Sequence, residues 1–107
     1  MAFYELRRYE VRPGKMEAWI ALMEREIMPF QIAAGMVITG LFRGETDDGV
    51  FIWMRRFEDE ADRVRLYADV YESAHWQEVI LPQVTELIFR ETISITRLTP
   101  TTVSPQH

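Results

Sequence analysis

The sequence contains no cysteine, which removes disulfides, iron–sulfur clusters, thiolate zinc sites and nucleophilic thiol chemistry together. Lysine is nearly absent too: Lys15 stands against eleven arginines, and no block of basic residues offsets a net charge of −5. A general affinity for nucleic acid or for an anionic membrane surface is therefore not expected. The arginine bias itself stays open between two readings. Arginine's planar fork suits fixed pairing with carboxylates or recognition of an anion, and codon usage in a GC-rich genome produces the same excess. No stretch approaches the ~20 apolar residues that span a bilayer. Charges inside Met1-Ala2-Phe3-Tyr4-Glu5-Leu6-Arg7 interrupt the apolar region a signal peptide needs, so a cytoplasmic protein is expected. Phosphate loops, dinucleotide fingerprints, nucleophile elbows and zinc-ligand spacings are all missing, against kinase, dehydrogenase and serine hydrolase chemistry.

What is present suffices for one core. The 107 residues are 48% hydrophobic and 12% aromatic, a single domain's worth of chain. Residues 3–11 are rich in aromatic and β-branched types and stop at Arg12-Pro13-Gly14, the pattern of a strand before a turn. Met16, Trp19, Ile20, Met23 and Ile27 then recur at helical spacing. Pro29 must disturb the last turn of that helix, and Gly35 can end it. Residues 36–44 and 50–57 flank the acidic turn closing on Asp48-Gly49, a hairpin signal. Asp59 can cap a helix with the stripe Ala61, Val64, Tyr67, Ala68 and Tyr71. Ser73–Leu87 forms a further helical stretch with Trp76, Val79, Ile80, Val84 and Leu87 on one face and Pro82 as a kink or a new start. Residues 89–98 alternate as a fourth strand, and 99–107, with two prolines, read as a flexible tail after a domain of residues 1–98.

The order β-α-β-β-α(α)-β is the ferredoxin-like split βαβ, an α+β fold in which a four-stranded antiparallel sheet carries its helices on one face. In the third strand Val50, Ile52 and Met54 oppose Phe51, Trp53 and Phe57, and in the second Val37 and Leu41 oppose Met36, Ile38 and Phe42. Both faces of the sheet therefore want burial, and the chain has helices for one. Pairing of two sheets about a two-fold axis, as a homodimer, resolves this.

The segment Tyr4-Glu5-Leu6-Arg7-Arg8-Tyr9, running through Pro13-Gly14 into a helix, resembles the opening of NIPSNAP domains. Gly40, the acidic turn ending at Gly49, Ile52-Trp53, Arg63 and Trp76 fit as well, so the resemblance covers roughly residues 3 to 97. It implies a dimeric α+β barrel in which two ferredoxin-like subunits pair their sheets. It implies no settled chemistry: related dimeric barrels include cofactor-free monooxygenases, muconolactone isomerase-like enzymes and haem enzymes, and a shared fold does not carry function. Many relatives have a His two residues before the third-strand Trp; this chain has Phe51 there, which takes that imidazole out of any mechanism.

Glu5, Arg7 and Tyr9 alternate along one face of the first strand. There Arg7 can hold a carboxylate or enolate, Glu5 can move a proton and Tyr9 can orient a ring. The competing reading is an ordinary Glu–Arg ladder between strands, with Tyr9 as packing. His75, beside Trp76, suits a general acid or base, against a surface or capping role; a metal role is poorly supported. Tyr9, Trp19, Phe42, Trp53, Trp76, Tyr67 and Tyr71 can line a ligand pocket or simply fill the core, and the hydroxyls of Tyr67 and Tyr71 need partners if buried. Arg43, Arg55 and Arg56 are expected to pair with acids such as Glu45 and Glu58. The expectation is a homodimer that binds a small apolar or aromatic acid without cofactor or metal, with a cofactor-free oxygenase or isomerase as its catalytic form. An interaction or scaffold protein acting through its dimer surface is the alternative.

Overall fold

The computed structural model describes all residues 1–107. Strand β1 (Phe3–Glu10) lies inside the sheet, with β3 (Val50–Phe57) and β4 (Ser94–Leu98) antiparallel on either side. Strand β2 (Val37–Arg43) completes an edge next to β3, giving the order β2-β3-β1-β4. This is the split βαβ arrangement expected from the element order.

One face of the sheet carries the helices. Helix α1 (Met16–Leu22), a π-helical turn (Met23–Ile27) and α2 (Met28–Ala34) form one continuous rod, and α3 (Glu60–Tyr71) follows the hairpin. A second π-helical turn (Trp76–Ile80) leads into α4 (Leu81–Leu87). Both prolines inside helical sequence are explained here. Pro29 and Pro82 each lie in the first turn of the segment after a π turn, where the amide they lack has least use. The wider turn is closed by Met28 N–H donating to the Met23 carbonyl and Leu81 N–H donating to that of Trp76. Asp59 caps α3, accepting a 2.8 Å bond from the Asp62 amide.

Burial separates the sheet's faces. Phe51, Trp53, Arg55 and Phe57 point under the helices, whereas Val50, Ile52 and Met54 face away and are half-buried. In β2 the expected division fails because a bulge between Ile38 and Gly40 shifts the register. Ile38 and Leu41 then lie opposite Arg55 and Trp53 on the helix side, while Val37 and Phe42 share the open face. The stripe of α3 is also rotated: Leu66 and Val70 are buried, Tyr67 and Tyr71 flank them, and Val64 is exposed. The tyrosines sit at the border because their hydroxyls must meet polar partners. In the last helical stretch Ile80 and Val84 are buried and Val79 is not. The fourth strand is shorter than expected, since a 3-10 turn (Arg90–Thr92) precedes it.

The open face keeps Val37, Phe42 and Leu98 exposed. At its other end residues 99–107 lie beside Tyr4 and Met54, and Arg56 Nε donates a 2.6 Å bond to the His107 carbonyl. Tyr4 is buried despite facing away from the helices. No helix is long and apolar enough to cross a membrane.

Gly35 ends α2 with φ at +110°, where a side chain is strained, and a Cβ there would meet Leu66 Cδ2 at 3.3 Å. Gly35→Ala is expected to destabilise the fold by about 1–3 kcal/mol, seen as a lower urea midpoint at unchanged m.

Candidate functional site

The core under the helices is two apolar clusters with a polar layer between them. The larger contains Tyr9, Trp19, Phe51, Trp53 and Ile80; the smaller contains Phe3, Phe57, Leu66 and Val70. Along β1 and β3 the step from one to the other is made by Glu5 and Arg55, which stand directly opposite each other in the ladder. Both are buried, Arg55 completely. Arg55 Nη2 donates to Glu5 Oε1 at 2.9 Å, and Arg55 Nη1 donates to Gln31 Oε1 at 2.9 Å and to the Tyr71 hydroxyl at 2.8 Å. The second carboxylate oxygen of Glu5 accepts a 2.6 Å bond from the Tyr67 hydroxyl. The partners in this layer thus come from three elements besides β3: Glu5 from β1, Gln31 from α2, and Tyr67 and Tyr71 from α3.

Arg7, one pleat along from Glu5, borders the layer. Its Nε donates to the Tyr9 hydroxyl at 2.9 Å and its Nη1 to the Tyr67 hydroxyl at 3.2 Å, with Glu5 Oε1 farther off at 3.7 Å. Its Nη2 makes no bond within the protein and is not sealed off from solvent. Two guanidiniums share one carboxylate, so the layer keeps a positive charge at Arg7. Burial opposes the charge on Arg7, but the facing oxygens of Tyr9, Tyr71 and Tyr67 outweigh it and move its pKa upward. Burial, and then the bond to Glu5, push Tyr67 up to about 12. Burial likewise raises Tyr9 against the pull of Arg7. Both phenols therefore stay protonated at neutral pH.

A cavity of about 480 Å³ opens on this edge of the layer. Thirteen of its sixteen lining residues are hydrophobic, and the others are Arg7, Gln77 and Arg90. No carboxylate lines it. Aromatic rings form much of the wall: Tyr9 meets Trp19 edge-on at 5.7 Å, and Tyr71 meets Trp76 edge-on at 4.9 Å. Both π turns contribute, through Met23 and Ile27 from one and Trp76 and Gln77 from the other. An anion entering here would meet a buried guanidinium among edge-packed aromatic rings, with little water to screen it.

The NIPSNAP family model matches residues 4–105. The chain belongs to the NIPSNAP family. Among solved structures it is similar to a NIPSNAP family protein from Agrobacterium tumefaciens strain C58, at 27% identity over 100% of both chains with a TM-score of 0.87. An uncharacterized NIPSNAP-like domain protein from Burkholderia xenovorans is 25% identical, with 97% of this chain and 89% of that one covered and a TM-score of 0.86. A NIPSNAP family protein with unknown function, also from A. tumefaciens C58, superimposes with a TM-score of 0.87 at 24% identity, covering 97% and 92% of the two chains. The curated proteins contain no match.

The candidate residues of this NIPSNAP domain are not all in one place. Arg7, Tyr9, Trp53, Tyr67, Tyr71 and Trp76 line the cavity. Glu5 does not; it lies behind Arg7 with both oxygens engaged. His75 is exposed, outside the cavity, with its ring 4.9 Å from that of Phe30. Phe51 is packed edge-on against Trp19 at 5.8 Å. Of the three hairpin arginines, Arg56 pairs with Glu58 at 2.6 Å as expected, whereas Arg43 takes Glu17 and Asp48 in place of Glu45. Arg55 leaves the surface group altogether. It and Gln31 were hidden among surface types; the available signal was the alternation Phe51, Trp53, Arg55, Phe57, which puts Arg55 on the buried face.

Removing one partner of the buried pair strands the other. Arg55→Met is expected to cost about 3–5 kcal/mol by chemical denaturation, and Glu5→Gln less, because Arg55 keeps Gln31 and Tyr71. A loss under about 1 kcal/mol for Arg55→Met would place the pair among those of surface strength.

Proposed function

We propose that this NIPSNAP domain binds a small apolar or aromatic acid between sheet and helices, and that it does so as a cytoplasmic homodimer. The observation that carries the ligand reading is the free Nη2 of buried Arg7 on an aromatic cavity without a carboxylate. Arg7 anchors the anion, Tyr9 and Tyr67 hold the guanidinium in place, and Trp53, Tyr71 and Trp76 enclose the apolar body. Glu5 acts through Arg7 and Arg55 as a positioning residue. In the catalytic form of this reading, a cofactor-free oxygenase or isomerase, the same guanidinium stabilises a developing enolate. His75 takes part only by moving inward from where it lies.

The homodimer reading is supported by the open face of the sheet. Val37, Phe42 and Leu98 are exposed there beside half-buried Val50, Ile52 and Met54, an apolar surface of a kind that monomers usually cover. The same surface favours a second reading, a scaffold whose dimer face is its function and whose cavity is incidental.

Thermal shift with 1-naphthoate and cinnamate, against their alcohols, separates the two. The ligand reading expects the carboxylates alone to raise Tm, and expects Arg7→Met to abolish the rise in a folded protein. Shifts that survive Arg7→Met, or none in the parent chain, favour the scaffold. Light scattering after size exclusion should give about twice the 12.7 kDa chain mass; a monomer at micromolar concentration would refute the sheet pairing.

A further inference from the structure

The cavity has a second cation that the anchoring of one acid leaves unused. Arg90 follows β-extended Phe89 in the 3-10 turn before β4 and lines the cavity together with Gln77. Both side chains are solvent-exposed, whereas Arg7 is buried, so Arg90 and Gln77 mark the mouth and Arg7 the inner wall. Gln77 Nε2 donates to the Tyr71 carbonyl at 3.2 Å, which ties the residue to the mouth. Arg90 differs from most arginines of this chain. Arg43, Arg55, Arg56, Arg63, Arg65 and Arg97 each pair with a carboxylate, while the Arg90 side chain has neither an ion pair nor a hydrogen bond.

Between the two guanidiniums the wall is apolar, formed by residues such as Trp76, Leu81, Ile93 and Ile95. Ile95 stands opposite Arg7 in the β1–β4 ladder and Ile93 precedes it, so the apolar path runs from Arg7 along the start of β4 to the turn that carries Arg90. A cation at each end of an apolar path, with no acid along it, is complementary to a molecule with an anion at each end.

We infer that the ligand is a dianion with an apolar middle, one carboxylate on Arg7 and a second acidic group at the mouth on Arg90. This rests on the reading of Arg7 as the anion anchor and adds a subsite to it. The inner contact supplies most of the affinity because it is buried. The outer contact is wet and weaker, and selects diacids over monoacids.

Calorimetric titration with straight-chain monocarboxylates from hexanoate to decanoate, and with the α,ω-dicarboxylates of the same lengths, tests this. The best dicarboxylate is expected to bind about fivefold tighter than its monocarboxylate, the effect of one exposed ion pair, with a preferred length and a gap that narrows in high salt. Arg90→Gln should erase the gap and leave monocarboxylate affinity unchanged, while Arg7→Met should weaken both series. Monocarboxylates that bind through Arg7 with no preference for diacids, or a preference that survives Arg90→Gln, overturn the second subsite alone. Absence of binding by either series, or binding untouched by Arg7→Met, overturns the anchor and the subsite together.

Discussion

Burying the Arg55 guanidinium obliges the rest of the domain to come to it. A fully enclosed positive charge is tolerable only with a close counter-ion and acceptors for most of its remaining hydrogens; Nη1 and Nη2 of Arg55 have them, and Nε alone is buried without one. Here Glu5 comes from β1, Gln31 from α2 and Tyr71 from α3. Each bond fixes the position of one element against β3. The apolar clusters on either side can be filled by many combinations of side chains, but the polar layer between them admits few. It sets where the α1–α2 rod and α3 rest on the sheet.

The cavity follows from the same layer. Tyr67 is held by Glu5 and Tyr71 by Arg55, so neither hydroxyl is free to swing into the space beyond. The rings thus stay as walls. Arg7 receives what is left: with Glu5 committed to Arg55, its charge is balanced by phenolic dipoles and a distant carboxylate oxygen. A guanidinium so placed is fixed in direction yet incompletely neutralised, which is the state an anion site requires before its ligand arrives.

The topology was legible from the sequence because it rests on strong local signals: two periods, an Asp-Gly turn, and glycines at positions that need them. The helix-facing residues of β1 and β3 were legible for the same reason, since alternation is strict there. The β2 faces were not, because a bulge changes the phase by one residue and Gly40 alone does not announce it. In α3 the helical spacing of apolar residues runs through Tyr67 and Tyr71, whose amphipathic character allows them to stand at the edge of the buried face instead of its centre. At the site, the aromatic lining and Arg7 followed from patterning, whereas Gln31 and Arg55 required knowing that β1, β3 and two helices converge. Exposed His75 shows the limit of judging a titratable residue by its neighbour in sequence. Trp76 turns inward and His75 does not, because adjacent helical residues point about 100° apart.

The π turns put a further condition on the chain. A wider turn rotates everything after it relative to an unbroken α-helix, and Gln31 lies beyond the turn at Met23–Ile27 while Trp19 lies before it. One residue removed from that turn would leave Trp19 in place and swing Gln31 about 100° away from Arg55. The loop between Gly44 and Gly49 joins two adjacent antiparallel strands and buries no side chain, touching the edge of the core only where the Gly49 carbonyl accepts a 2.8 Å bond from the Val11 amide. The domain can therefore drift in length at its hairpin, whereas its helices are locked to an integer count of residues as firmly as paired strands are.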